Sequence, residues 1–149
     1  MKYFGSIMAF TRERNRDLMR AFHQQLALDK HVIAPALFKR VAESPAARFW
    51  VSAERAAIVF AAMDAGRPLP RMRENKREMF RELYRRYLIE KKAHPGLPVY
   101  QLADLVVTQP APKFYLTPRT VGELIYRIRS GWYDRQFDRY RNIVAGNDE

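Results

Sequence analysis

Residues 43–56, ESPAARFWVSAERA, are nearly restated 65 positions later by residues 108–121, TQPAPKFYLTPRTV. Pro45, Ala46, Arg48, Phe49, Trp50, Val51 and Ser52 stand against Pro110, Ala111, Lys113, Phe114, Tyr115, Leu116 and Thr117. The same offset holds without a gap from Arg12–Gly66 to Arg77–Gly131, with eleven identical pairs at positions 12, 13, 16, 18, 20, 37, 41, 45, 46, 49 and 66. A chain that repeats itself in one fixed register is expected to build two similar units. Two copies are too few for an open solenoid, so the units should pack together or sit side by side.

Each unit reads as three helices. The first covers about Arg12–Leu28 and Lys76–Lys92, with apolar stripes Leu18, Met19, Phe22, Leu26 and Met79, Phe80, Leu83, Tyr84, Tyr87, Leu88 at the spacing that loads one helical face. The second is short, Ala36–Ala42 and Val99–Val107, opened by Pro35 and Pro98. Pro45 and Pro110 then stop the chain, and Phe49-Trp50 and Phe114-Tyr115 anchor an extended connector. Ser52 and Thr117 stand where a helix cap belongs. The third helices, Ala53–Ala65 and Pro118–Ser130, end at Gly66 and Gly131, each expected to be left-handed. The repeated phrase is therefore first an architectural corner.

The expected fold is all-α, with two tandem, helix-turn-helix-like three-helix units at 12–66 and 77–131. A basic linker, RPLPRMRENK (67–76), joins them, and a C-terminal capping helix covers 132–146 with Tyr133, Phe137, Tyr140 and Val144 at helical spacing. The whole could pack as a single globule. The closing GNDE should fray. The apolar part of the N-terminal MKYFGSIMAF is too short for a secretory leader, and no apolar run reaches the roughly 18 residues of a membrane span. With cysteine absent there is no disulfide or thiolate metal site, and the expected location is cytoplasmic.

Charge selects the function class. The net charge is +11, with +5 on residues 77–131 and +3 on the ten-residue linker. An excess of this size on a small helical protein points to a polyanion. Arg48 and Lys113 precede helix starts whose free N–H groups, with the Ser52 and Thr117 hydroxyls, could seat phosphate. Arg119, Glu123 and Arg127 line the outer face of the third helix of unit two, with Thr120 beside them. Arg67, Arg71 and Arg73 form a basic arm. Each has a bland counterpart: an Arg–Glu–Arg ladder, a basic side chain covering an aromatic ring, an ordinary charged linker. The equivalent helix of unit one, ERAAIVFAAMDA, is apolar on nearly all sides and should pack in a core or an interface.

His23, His31 and His94 lack metal-ligand spacing, and no phosphate-loop or dinucleotide motif occurs, so neither catalysis, metal nor cofactor is expected. The tandem layout resembles that of proteins carrying two successive three-helix DNA-binding repeats, such as Myb-type modules. The likeness is one of layout: the regularly spaced tryptophans are missing, and the connector is near eight residues instead of three or four. These observations lead to a non-enzymatic nucleic-acid-binding protein, with duplex DNA ahead of RNA as partner. The candidate contacts are Arg48, Ser52, Arg67, Arg71, Arg73, Lys113, Thr117, Arg119, Thr120 and Arg127. The rival expectation is a helical adaptor that binds an acidic protein or self-associates through helix 53–65.

Overall fold

Prolines, glycines and one serine set most of the helix ends. The computed structural model describes residues 2–147, with side chains over 7–146. The helices run α1 (Lys2–Leu28), α2 (Ala34–Ala42), α3 (Ala53–Asp64), α4 (Glu74–Ala93), α5 (Val99–Val107), α6 (Pro118–Arg129) and α7 (Trp132–Asn147). Among the described residues no strand forms, and one isolated antiparallel bridge joins Ala46 to Ala111.

Ser52 caps α3 from extended backbone, its Oγ accepting the Arg55 N–H at 3.1 Å. Gly66, at φ +74°, ends that helix: its N–H donates to the Met63 carbonyl and the Arg67 N–H to that of Ala62. Those two bonds close a helix through a left-handed residue. Gly131, at φ +80°, turns the chain from α6 into α7. Three expectations need correction. α1 starts ten residues earlier than read, because no proline stands between Lys2 and Arg12 and the helix runs through Gly5. Leu88, placed on the core stripe of α4, is 45% exposed. Of the tail expected to fray, Gly146 and Asn147 continue α7, and residues 148–149 lie outside the described residues.

The helix boundaries keep the offset of the sequence. α2 and α5, and α3 and α6, begin and end 65 positions apart, and α1 and α4 end 65 apart. Burial keeps it too. Leu18/Leu83, Phe22/Tyr87, Leu37/Leu102, Val41/Val106, Ala42/Val107, Ala46/Ala111, Phe49/Phe114, Ala56/Val121, Val59/Leu124 and Phe60/Ile125 are each buried at both members.

The chain divides into two compact units, residues 1–41 with 118–149, and residues 42–117. In the first, α6 packs on α1 and α7. Gly122 of α6 takes the Phe38 ring at such close range that a Cβ there would lie 2.7 Å from it. Arginines are built into this packing. The Arg12 guanidinium lies 4.6 Å from the Phe137 ring centre, Arg14 donates to the Tyr133 hydroxyl at 3.1 Å, and Arg129 lies over Phe22.

In the second unit α3 packs on α5 and α4, and the connectors 43–52 and 108–117 pair with each other. Ala46 and Ala111 exchange both N–H···O bonds, at 3.0 and 3.1 Å. Phe49 N–H donates to the Val107 carbonyl at 3.0 Å and Phe114 N–H to that of Ala42 at 3.1 Å. Each bond maps onto another when 65 is added to one partner and subtracted from the other, so the connectors meet about a local two-fold. Tyr115 departs from that equivalence. It takes φ 57°, strained for a bulky residue, and its ring stacks on Phe49 at 5.9 Å. Its equivalent, Trp50, is half-buried and has no positive φ.

Two carboxylates tie α4 into this unit. Asp64, at the end of α3, accepts from the Tyr87 hydroxyl at 2.6 Å and the Tyr84 hydroxyl at 2.8 Å, with the Lys91 ammonium at 3.5 Å. Burial pushes its carboxyl up, but the phenol bonds and Lys91 outweigh that and leave it below the ordinary 3.8. Glu82 is held at about 2 instead of 4.5, chiefly by the Arg85 hydrogen bond, with burial opposing and Arg86 assisting. Arg86 also donates to the Pro110 carbonyl at 2.9 Å and covers the Phe49 ring at 4.9 Å, so this clasp holds the second connector. A carboxyl depressed on folding adds stability that is complete above its unfolded pKa and lost as pH falls through the folded value. The urea midpoint should therefore drop as pH falls from about 4.5 to about 2, and Glu82→Gln should flatten that limb while lowering the neutral-pH plateau.

Candidate nucleic-acid interface

A cation already engaged by a carboxylate, a carbonyl or an aromatic ring is less available to an external anion than one with no partner. That criterion separates the sequence-derived candidates. The Arg48 guanidinium donates to the carbonyls of Phe49 (3.1 Å) and Val51 (3.2 Å) and lies over Trp50 at 5.2 Å, bracing its own connector. Lys113 pairs with Glu78 and sits over the Tyr115 ring. Arg119 pairs with Glu123 at 3.2 Å and Arg127 covers the Trp132 ring at 5.2 Å, both on the exposed face of α6. Ser52 is engaged as the cap of α3, while Thr117 and Thr120 are half-buried around the start of α6.

The larger surface concavity of the second unit, about 630 Å³, shows the same compensation. Arg81, Arg85, Arg86 and Lys113 line it, but so do Glu78 and Glu82. Tyr115 borders it with its phenol pushed up to about 12, first by burial and then by the Glu82 and Glu78 charges. Two carboxylates offset half of its four cations.

A second concavity in the same unit, about 390 Å³, differs. Trp50 and Val51 of the connector, Arg55 of α3, Arg71, Met72 and Arg73 of the linker, and Lys76, Met79 and Phe80 of α4 line it. Four of these side chains are cationic and exposed, none is acidic, and among the described residues none of the four meets a carboxylate or other hydrogen-bond partner. Met79 and Phe80 are buried beneath, so the groove has an apolar floor and a basic rim. Local chemistry explains the placement. The Ser52 cap fixes Arg55 in the first turn of α3. The linker holds Arg71 in non-helical backbone, and Arg73 and Lys76, three apart, share a face where α4 begins.

The structure thus brings Arg71 and Arg73 together and leaves Arg67 exposed on the linker without a place in this groove. The groove also takes in Arg55 and Lys76, which the sequence reading does not single out, and Trp50, which it reads only as an anchor. The Arg73-x-x-Lys76 spacing was a usable signal. Arg55 gave none, since the packing of α3 on α4 brings it there. Among the described residues no group of three or more His, Asp or Glu side chains could hold a metal ion, and no helix is long and apolar enough to cross a membrane. No family model, no curated protein and no solved structure matches the chain.

Proposed function

We propose that the protein is a non-enzymatic nucleic-acid-binding protein that grips phosphates through the basic groove between the Trp50 connector and the start of α4. One observation carries this reading: Arg55, Arg71, Arg73 and Lys76 converge on one concavity with no carboxylate to neutralise them. Four unpaired cations at close quarters repel one another and raise the local potential, which a polyanion relieves on binding. The footprint therefore moves from the helix starts at Arg48 and Lys113 to the linker side of the second compact unit.

The chain is a tandem duplication in this reading. The shared helix boundaries, the ten doubly buried pairs and the reciprocal connector bonds support it. Its third helices are exchanged: α3 of the first copy packs with α4 and α5 of the second, and α6 of the second packs with α1 of the first.

Salt titration tests the function. With four groove cations each neutralising one phosphate, log K against log salt should fall with a slope of roughly −3 to −4 on a DNA duplex or roughly −3 on a single strand. Binding that stays flat from low to physiological salt would remove the phosphate grip from consideration. The rival reading, an adaptor for an acidic protein, takes its support from Ile58 of α3, a large apolar side chain that stands 63% exposed. Ile58→Lys separates the two, since it should leave nucleic-acid affinity intact and abolish only a protein contact.

A further inference from the structure

The groove is not built for phosphate alone. A phosphate seat needs donors and charge, and the four cations supply them. The remaining lining is apolar and aromatic: Trp50 and Met72, half-buried at the wall, over Met79 and Phe80. A duplex offers such a surface little, because the flat faces of its bases are stacked inside and only their edges reach the grooves. The volume, about 390 Å³, lies in the range of small-ligand pockets and far below what would embrace a duplex.

An unpaired nucleotide meets both requirements. A base turned out of a flexible strand stacks on an aromatic wall, while the phosphates on either side meet the basic rim. Trp50 is prepared for this. The Arg48 guanidinium lies over its ring, and that guanidinium is itself held by the Phe49 and Val51 carbonyls, so the indole is braced before any ligand arrives. Tyr115 at the equivalent position is buried and strained, which leaves one such aromatic wall in the pair of connectors.

We propose that this groove binds single-stranded nucleic acid, one base lying against Trp50 and the flanking phosphates held by Arg55, Arg71, Arg73 and Lys76. The assignment rests on the phosphate-gripping reading above and narrows it from nucleic acid in general to unpaired strands. Stacking tolerates any base, so sequence preference should be weak.

The test compares a fluorescein-labelled oligothymidylate of about 15 nucleotides, a duplex of about 15 base pairs and an oligoglutamate peptide, all by anisotropy on the full chain. A Trp132→Phe background leaves Trp50 as the sole indole, because the chain has two tryptophans. The expected results are affinity for the single strand at least ~10-fold above that for the duplex, and quenching of Trp50 emission that saturates with the strand. Trp50→Leu should lose roughly 5- to 100-fold on the strand and leave the duplex unchanged. Circular dichroism checks that Trp50→Leu is folded, and the quenching arm stands without that variant. Equal affinity for strand and duplex, or strand binding with Trp50 unquenched, overturns the base-stacking assignment while the phosphate grip survives. Oligoglutamate bound as tightly as the strand also overturns it, and makes the groove a seat for acidic protein. Binding of neither nucleic acid overturns both readings together.

Discussion

Replacing Arg71 and Arg73 together by glutamate is expected to lower nucleic-acid affinity at least ~100-fold at about 0.15 M salt, with the fold intact. On the proposed phosphate grip, each reversal removes a cation–phosphate contact and installs a repulsion in its place. Among the described residues neither side chain has a partner to lose, since both are exposed and meet no carboxylate. The change should even favour the helix they precede: Arg73 is the residue before α4 and makes no side-chain cap bond, and a carboxylate near a helix N-terminus interacts well with its dipole. Lost binding could not then be laid to unfolding. The control is Arg119→Glu with Arg127→Glu, which removes the same charge from the exposed face of α6. It should cost less than ~10-fold, because only the general field is weakened. Equal losses from the two pairs would mean that overall charge, not the groove, holds the ligand.

What could be read in the sequence, and what could not, follows from the range of the interactions. Helix ends were legible wherever one residue decides them. Gly66 and Gly131 turn left-handed as expected, Ser52 caps α3, and Pro118 opens α6. Core faces were legible from helical spacing, so Leu18, Phe22, Met79, Phe80, Leu83 and Tyr87 are buried. The start of α1 was not, because no breaking residue marks it. Free cations were the least legible. Lys113 and Glu78 lie 35 positions apart and pair through the packing of the second connector against α4. Nothing local in the phrase PAPKFYLT reveals that Lys113 is neutralised. Position beside a helix start suggested Arg48 and Lys113 equally, yet one is tied to backbone carbonyls and the other to a carboxylate. The groove arises the same way, since α3, the linker and α4 must fold before Arg55 meets Arg71, Arg73 and Lys76. The repeated sequence pattern therefore foretells helix ends and core positions better than it foretells which cations stay unpaired.

Phe49→Ala and Phe114→Ala should each destabilise the protein by about 3–5 kcal/mol, a large part of the total stability of a domain this size. Both rings are buried, at 1% and 5% exposure, and both backbones donate across the paired connectors. The two costs should not be equal. Arg86 lies over Phe49 at 4.9 Å and Tyr115 stacks on it at 5.9 Å, whereas among the described residues no cation covers Phe114. A cation over a partly desolvated ring adds roughly 0.5–2 kcal/mol, so Phe49→Ala should be the more damaging by that margin. Arg86→Leu should bring the two costs closer, the Tyr115 stack on Phe49 remaining: it removes the guanidinium from Phe49, and the carboxylate it leaves behind, Glu82, keeps Arg85 as a partner at 2.7 Å. Urea unfolding with m unchanged reads these differences directly. The proposed duplication predicts the common magnitude, and the departure from the 65-residue offset at Arg86, which stands against Ala21, predicts the difference. A Phe114→Ala protein that loses less than about 1 kcal/mol while Phe49→Ala loses its full share would show that the connectors are not structural equivalents, and the tandem origin would lose its main physical support.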